Sequence, residues 1–206
     1  MREQHYREDR EFLKELLRQY ENLRTGRSHT FIDEESFEKI IDYFDEREEV
    51  VKALEASEFA IELYPFSSIL LIRKADLLLA SRRYQAALDT LEQAGIFDGS
   101  DINLYILKTD ALLALDQQEQ AVELLQQALT QFDGDDRIEL LFELADVYDD
   151  YEEFDKVFDC LRMILESDQN NEEALYKICF WTEFTGRNEE SIRLHQEIIE
   201  EYPYNE

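Results

Sequence analysis

The chain has 206 residues, of which 44% are hydrophobic, so it is long enough to bury a sizeable core. Its 50 acidic and 21 basic residues give a formal net charge of −29, which repels phosphate backbones and anionic bilayers, and we expect no nucleic-acid and no membrane partner. The 5 glycines and 2 prolines are too few for the turns of a sandwich or barrel, so long helices joined by short turns are expected.

The first predicted element is an amphipathic helix near the N-terminus. Its apolar residues form one stripe at helical spacing: Phe12, Leu13, Leu16, Leu17, Tyr20 and Leu23. We interpret this stripe as packing against the element that follows, with a dimerisation helix or a separately docking arm as alternatives. A linker is predicted over 25–33, and its last residue, Asp33, is expected to cap the next helix.

A repeat of 34 residues follows this helix. Residues 70–94 and 104–128 align at that offset, which pairs Ala87 with Ala121. Within each copy the apolar residues recur every three or four positions, as on one face of a helix, and a short polar segment separates two such stretches. The sequence therefore predicts successive helix–turn–helix units.

The period extends over the rest of the chain when one insertion is allowed. Two additional residues near 133–136 bring the later units into register, and Pro65 and Pro203 then occupy the same phase. Gly99 and Gly134, in the turns between units, are expected to end helices in the left-handed conformation. We predict a helix and linker over 1–33, and then five repeats within 34–206: 34–67, 68–101, 102–137, 138–171 and 172–205.

The period and the placement of small residues resemble the tetratricopeptide repeat family. Counted from the first residue of each repeat, that family has alanine at positions 20 and 27, where small side chains allow helices to approach closely. Position 20 holds Ala53, Ala87, Ala121, Val157 and Ser191, and position 27 holds Ala60, Ala94, Ala128, Ile164 and Ile198. The resemblance implies an all-α fold, a right-handed α-α superhelix (solenoid) of about five helix–turn–helix repeats plus an N-terminal helix.

The same resemblance implies a binding groove lined by the first helix of each repeat. At position 9 this helix carries Asp42, Asp76, Asp110, Asp146 and Phe180, so four aspartates are expected to form a ladder. Apolar residues surround the ladder: Ile69, Ile72, Ile106, Leu107, Phe142, Tyr176 and Phe184. We interpret them as the floor of the groove, and the alternative is that they belong to the core between helices.

An acidic and apolar groove favours a protein or peptide segment that carries lysine or arginine together with apolar side chains. Relatives that clamp the acidic tails of chaperones use lysine and asparagine in the groove, whereas this chain has Glu35, Glu38 and Asp42 there, which argues against such tails. We therefore predict a scaffold or adaptor for protein–protein interaction. The alternative is a structural spacer or self-association module of a longer repeat protein, with no ligand in the groove.

The last residues, 202–206, fall where a sixth repeat would begin, and no polar capping helix is predicted there. An uncapped apolar end of this kind could pair with a second copy, so a homo-oligomer is one expectation. The chain lacks an apolar leader and a long apolar stretch, and this pattern predicts a cytoplasmic protein.

No motif predicts catalysis, a metal or a cofactor. His5, His29 and His195 are far apart in the sequence, and His195 falls at a packing position between helices, where a satisfied core histidine is expected. The Asp-Gly turns lack the ligand spacing of a calcium loop. Cys160 and Cys179 stand alone within helical patterns, so both are expected to be buried apolar residues rather than zinc ligands. We expect a protein that is not an enzyme.

Overall fold

The computed structural model describes residues 2–27 and 29–201, and within these ranges it contains eleven α-helices and no strand. The all-α class expected from the sequence is confirmed. The helices are α1 (Arg2–Arg24), α2 (Glu34–Asp45), α3 (Val50–Leu63), α4 (Ser68–Ala80), α5 (Tyr84–Phe97), α6 (Ile102–Ala114), α7 (Gln118–Ala128), α8 (Gly134–Asp150), α9 (Phe154–Ser167), α10 (Glu172–Thr185) and α11 (Asn188–Glu201).

The helices belong to two compact units. Unit 1, Met1–Leu115, contains α1 to α6, and unit 2, Asp116–Glu206, contains α7 to α11. In each repeat we call the first helix helix A (α2, α4, α6, α8 and α10) and the second helix helix B (α3, α5, α7, α9 and α11). Within each unit, helix A packs against the helices B that precede and follow it, which is how stacked repeats build a common core.

A left-handed residue occupies the turn between helix A and helix B in every repeat. These residues are Glu48, Arg82, Asp116, Glu152 and Gly186, with φ values of 60°, 58°, 59°, 60° and 69°. Their spacing equals the sequence period, and the two additional residues fall between Asp116 and Glu152. The expectation for the inter-repeat glycines was wrong at Gly99, which has no positive φ, while Gly134 (φ 61°) is the first residue of α8 rather than a C-terminal cap.

This conformation predicts opposite effects of substitution at two equivalent turns. A Cβ strains the left-handed conformation, so Gly186→Ala should lower the free energy of unfolding by about 1 kcal/mol, and Arg82→Gly should raise it by up to about 1 kcal/mol. No atom lies within 4 Å of a Cβ built at Gly186, so the loss would come from the backbone alone. Urea unfolding measures both effects. Gly99→Ala is the matched control, and losses of equal size at Gly99 and Gly186 would contradict the explanation.

The N-terminal helix contributes to the core of unit 1. Leu16 and Tyr20 of α1 are buried and pack with Phe37 and Phe44 of α2, as the packing interpretation expected, whereas Phe12 remains 54% exposed. The predicted cap of α2 is confirmed, because the backbone N–H of Ser36 donates to the carboxylate of Asp33 at 2.8 Å.

The helices pack closely at the positions where the repeat has small residues. The alanines at positions 20 and 27 of the first three repeats are fully buried: Ala53, Ala60, Ala87, Ala94, Ala121 and Ala128. Bulkier Val157 and Ile164 are buried at the same positions in unit 2. Side chains of this size at these positions leave room for helix B to lie directly against its neighbours.

The two cysteines differ in their surroundings. Cys160 is buried, and burial raises the pKa of its thiol to about 12. The prediction that Cys179 is buried was wrong, because Cys179 lies on a side of α10 that the described part of the chain leaves exposed. Its Sγ lies 3.4 Å from Nε2 of His195 on α11. None of the described helices is both long and apolar enough to cross a bilayer.

Candidate binding groove

Unit 1 contains a groove of about 420 Å³ on the faces of its three helices A. Its lining residues come from α2, α4 and α6 and from the residue that caps α6: Glu38, Ile69, Ile72, Arg73, Asp76, Asp101, Asn103 and Leu107. They occupy positions 2, 5, 6 and 9 of helix A, apart from Asp101. Residues three and four apart share one face of a helix, so each helix A presents these positions together.

Apolar side chains form the floor of the groove. Ile72 is only 8% exposed and also belongs to the core, whereas Ile69 is 51% exposed, and Leu107 is half-buried and packs against the core cluster of α4 to α6. In unit 1, these residues can therefore belong both to the floor of the groove and to the core between helices. One side of Ile72 packs in the core and the other lines the groove. Ile106, the neighbour of Leu107, is half-buried and lies outside the lining of this cavity.

Arg73 binds three carboxylates at the edge of the groove. Its guanidinium lies 2.8 Å from Asp42, 2.9 Å from Asp45 and 2.5 Å from Asp76. Burial alone would lower the pKa of Arg73, but Asp42 and Asp76 outweigh burial and raise it. Asp42 and Asp76, two of the four predicted ladder aspartates, therefore share one cation of the protein itself.

The same pairing recurs in unit 2 at the same separation in sequence. Arg73 stands at position 6 of its repeat and pairs with Asp42, 31 residues earlier, at position 9 of the preceding repeat. Lys177 and Asp146 hold the equivalent positions, with Nζ 3.8 Å from the carboxylate. This relation was not predicted from the sequence, although a search for cations 31 residues after each aspartate would have found both pairs. At position 6 of the third repeat stands Leu107, which offers no charge.

Two helix A carboxylates of unit 1, Glu38 and Asp110, combine a raised pKa with the absence of an ion pair among the described side chains. Burial, and then the nearby charge of Asp42, raise the pKa of Glu38 above its ordinary value. Burial, and then the charge of Asp76, raise the pKa of Asp110 in the same way. Each group would be stabilised in its ionised form by a cation from outside the chain.

Asp42 also lines a second cavity, of about 330 Å³, between α1 and α2. The other lining residues are Phe12, Leu13, Lys39, Tyr43 and Glu46. Lys39 pairs there with Glu35 at 2.7 Å and lies over the ring of Phe12. This cavity already holds a cation of the protein itself, so the groove with Glu38 offers the better site for a basic ligand.

The remaining predicted residues lie in unit 2. Lys177 lies over the ring of Phe142, 4.9 Å from its centre, and also pairs with Asp146. Burial raises the pKa of Asp146, and the nearby charge of Lys177 partly offsets this rise. Tyr176 is 81% exposed and Phe180 is 51% exposed, so neither side chain belongs to the core.

Both ring nitrogens of His195 have a partner within unit 2, as expected, but the side chain is half-buried and not part of the core. Its Nδ1 lies 2.8 Å from the carbonyl oxygen of Ser191, and its Nε2 faces the thiol of Cys179. Among the described residues, no group of three or more histidine, cysteine, aspartate or glutamate side chains is arranged to hold a metal ion. His5 and the residues after 201, including Pro203, lie outside the side chains that the structure describes.

Comparison with known proteins gives structural matches alone. No family model matches the sequence, and no curated protein matches it. Among solved structures, the chain is similar to YrrB, which is described as a TPR protein with an unusual peptide-binding site. The two sequences are 18% identical, the match covers 84% of this chain and 88% of YrrB, and the TM-score is 0.54. MamA is 18% identical, with 83% and 95% covered at a TM-score of 0.60.

A tetratricopeptide repeat protein from Parabacteroides merdae is also 18% identical, with 83% of this chain and 67% of that chain covered at a TM-score of 0.61. Identities this low establish the fold and leave the function to be argued from the site. The matches agree with the helix pairs, the buried small residues and the recurrent left-handed turns described above. The chain therefore has the tetratricopeptide-repeat fold.

Proposed function

We propose that the protein is a protein–protein interaction scaffold or adaptor, and that the groove of unit 1 binds a peptide segment carrying basic and apolar side chains. The observation that supports this most is the combination of an apolar floor, Ile69 and Ile72, with the lining carboxylate Glu38, which has no cation partner among the described side chains. Asp110 is a second carboxylate without such a partner, and it lies close enough to Asp76, at the edge of the groove, to feel its charge. The peptide-binding site described for YrrB supports the same general use of the fold.

The charge of the groove determines which segment fits. A lysine or arginine of the ligand would take, at Glu38 and Asp110, the role that Arg73 has for Asp42 and Asp76. Apolar side chains of the ligand would cover Ile69 and Leu107, whose exposed surface is otherwise hydrated. In unit 2, the helix A residues Phe142, Asp146, Tyr176 and Phe180 are proposed as a binding face of their own. Ile106 in unit 1 is included as a neighbour of the floor.

The raised pKa values predict how affinity depends on pH. In the free protein, Glu38 and Asp110 keep their protons to a higher pH than ordinary carboxyl groups. A bound cation favours the ionised forms, so binding releases protons, and affinity should rise with pH until both groups are ionised. Ionisation of Glu38 and Asp110 also lowers the free energy of unfolding of the free protein, because their pKa values are higher in the folded than in the unfolded chain. That cost is absent below the ordinary carboxyl pKa and complete above the raised one.

Isothermal titration calorimetry with two matched peptides tests the proposal. The peptides share the same leucine and isoleucine residues and differ in carrying either lysine and arginine or glutamate. We expect the basic peptide to bind at least about tenfold more tightly. We expect Glu38→Gln combined with Asp110→Asn to weaken its binding by about tenfold and to flatten the pH dependence.

Glu62→Gln is the matched control, because Glu62 is an exposed carboxylate on helix B of the same unit. Tighter binding of the acidic peptide would contradict the proposed groove. So would equal losses of affinity for the control and for the groove variant, since the effect would then reflect net charge alone.

A further inference from the structure

Unit 2 presents an exposed aromatic surface on α10, which we define as Tyr176, Phe180 and Phe184. Their exposed fractions are 81%, 51% and 56%. Successive members are four residues apart, so all three lie along one face of the helix. Contiguous exposed apolar side chains are typical of binding surfaces, whereas apolar side chains exposed singly need no explanation.

Two rings of the aromatic surface, Phe180 and Phe184, are held in place by contacts with other aromatic rings. Trp181, which is 9% exposed, stacks on Phe154 of α9 with ring centres 5.1 Å apart. Phe184 contacts both of these rings, and the centres of Phe180 and Phe184 are 4.9 Å apart. Rings that are already fixed by packing lose little conformational freedom when a ligand covers them, so Phe180 and Phe184 are preorganised for binding.

Carboxylates flank the aromatic surface on the same helix. Glu173 precedes Tyr176 by three residues, and Glu183 follows Phe180 by three residues. Side chains at this spacing are neighbours on a helix. Glu173 is paired with Lys177 at 2.8 Å, whereas no ion pair is found for Glu183 among the described side chains.

Elsewhere in the chain, rings and carboxylates of this kind share a cation. The guanidinium of Arg187 lies 4.1 Å from the ring centre of Phe158 and binds Asp159 at 2.7 Å. Lys177 and Lys39 make the same pair of contacts with other rings and carboxylates. At the aromatic surface the rings and the carboxylate are present, but among the described side chains no lysine or arginine lies over them.

We propose that the aromatic surface binds an arginine-bearing amphipathic segment of a partner protein, with the guanidinium stacked on Phe180 and Phe184 and paired with Glu183. Arginine fits better than lysine because its planar, weakly hydrated group can stack on a ring and bind a carboxylate at once. A second copy of this chain fits poorly, because it would bring the same carboxylates against each other. The inference rests on the proposed function in its general form, but it does not depend on the groove of unit 1.

Trp181 provides the measurement, because it is the only tryptophan in the sequence and it contacts the aromatic surface. The probe is a short amphipathic peptide with leucines at helical spacing and flanking arginines. Its matched control replaces each arginine by citrulline, which keeps the shape and removes the charge. We expect Trp181 fluorescence to change on binding, and we expect the arginine peptide to bind at least about tenfold more tightly than the citrulline peptide.

Variants locate the site. Phe180→Ala combined with Phe184→Ala should weaken binding of the arginine peptide by at least about tenfold. Glu183→Gln, which leaves the rings intact, should weaken it by about threefold. Glu38→Gln combined with Asp110→Asn in unit 1 should leave the Trp181 response unchanged, and this separates failure of the inference from failure of the groove.

Several results would overturn the inference. They are the absence of binding, equal binding of the arginine and citrulline peptides, and full affinity in both unit 2 variants. Sedimentation that shows a dimer of the wild-type chain, dissolved by the double phenylalanine variant, would assign the surface to self-association instead.

Discussion

Phe37→Ala is expected to lower the free energy of unfolding of unit 1 by about 3–5 kcal/mol, the largest stability effect of any substitution considered for this protein. Phe37 is fully buried in α2. Its ring centre lies 6.3 Å from that of Tyr20, and 6.2 Å from those of Phe59 and Tyr64. Truncation would therefore leave a cavity where α1, α2 and α3 meet.

The loss would be local in origin. Stacked repeats gain stability from their nearest neighbours, so amide protection should fall first in α1 to α3 when Phe37 is truncated. Urea unfolding followed by circular dichroism gives the size of the loss, and hydrogen exchange gives its location. Phe31→Ala is the control, because Phe31 is 79% exposed. Equal losses for the two variants would show that Phe37 does not occupy the core position described.

Arg73→Gln is expected to have opposite effects on stability and on binding. Removing the guanidinium leaves Asp42, Asp45 and Asp76 close together without their shared cation. The side chain of Arg73 is 26% exposed and its partners are 32% to 49% exposed, so solvent screening limits the loss of stability to about 1–2 kcal/mol. The released carboxylates would attract a basic ligand, whose affinity should rise by about tenfold.

Thermal unfolding and calorimetry with the basic peptide measure the two effects of Arg73→Gln in one preparation. Arg18→Gln is the matched control, because Arg18 pairs with Glu15 at an exposed site and should change neither quantity. Adding Asp76→Asn to Arg73→Gln should recover part of the lost stability and reduce the gain in affinity. A variant that loses both stability and affinity would show that Arg73 shapes the groove instead of limiting its charge.

The fold could be predicted from the sequence because each helix pair requires small side chains at the same positions of the repeat. The buried Ala53, Ala87 and Ala121 are visible as a period, since only small side chains allow neighbouring helices to approach so closely. The left-handed turn was not predicted, because four of its five residues, among them Glu48 and Arg82, are not glycine. At these residues the packing of the adjoining helices outweighs the preference of the residue itself.

The candidate site was predicted less completely. The spacing of the aspartates indicated one face of each helix A. It gave no indication that Asp42 and Asp76 share a cation, because their partner Arg73 lies at a different position of the repeat. Glu38 and Asp110 stand out because each combines a raised pKa with the absence of an ion pair among the described side chains, and both properties depend on the folded surroundings. Net charge alone could not identify them, since acidic residues are abundant throughout the chain.

The most direct test of the proposed groove is methyl NMR of the full chain titrated with the basic peptide. We predict shifts at Ile69, Ile72 and Leu107, which line the groove, and their loss in the variant that combines Glu38→Gln with Asp110→Asn. Shifts confined to Val51 and Ile96, which are exposed on the helices B of unit 1, with none in the groove, would contradict the proposal.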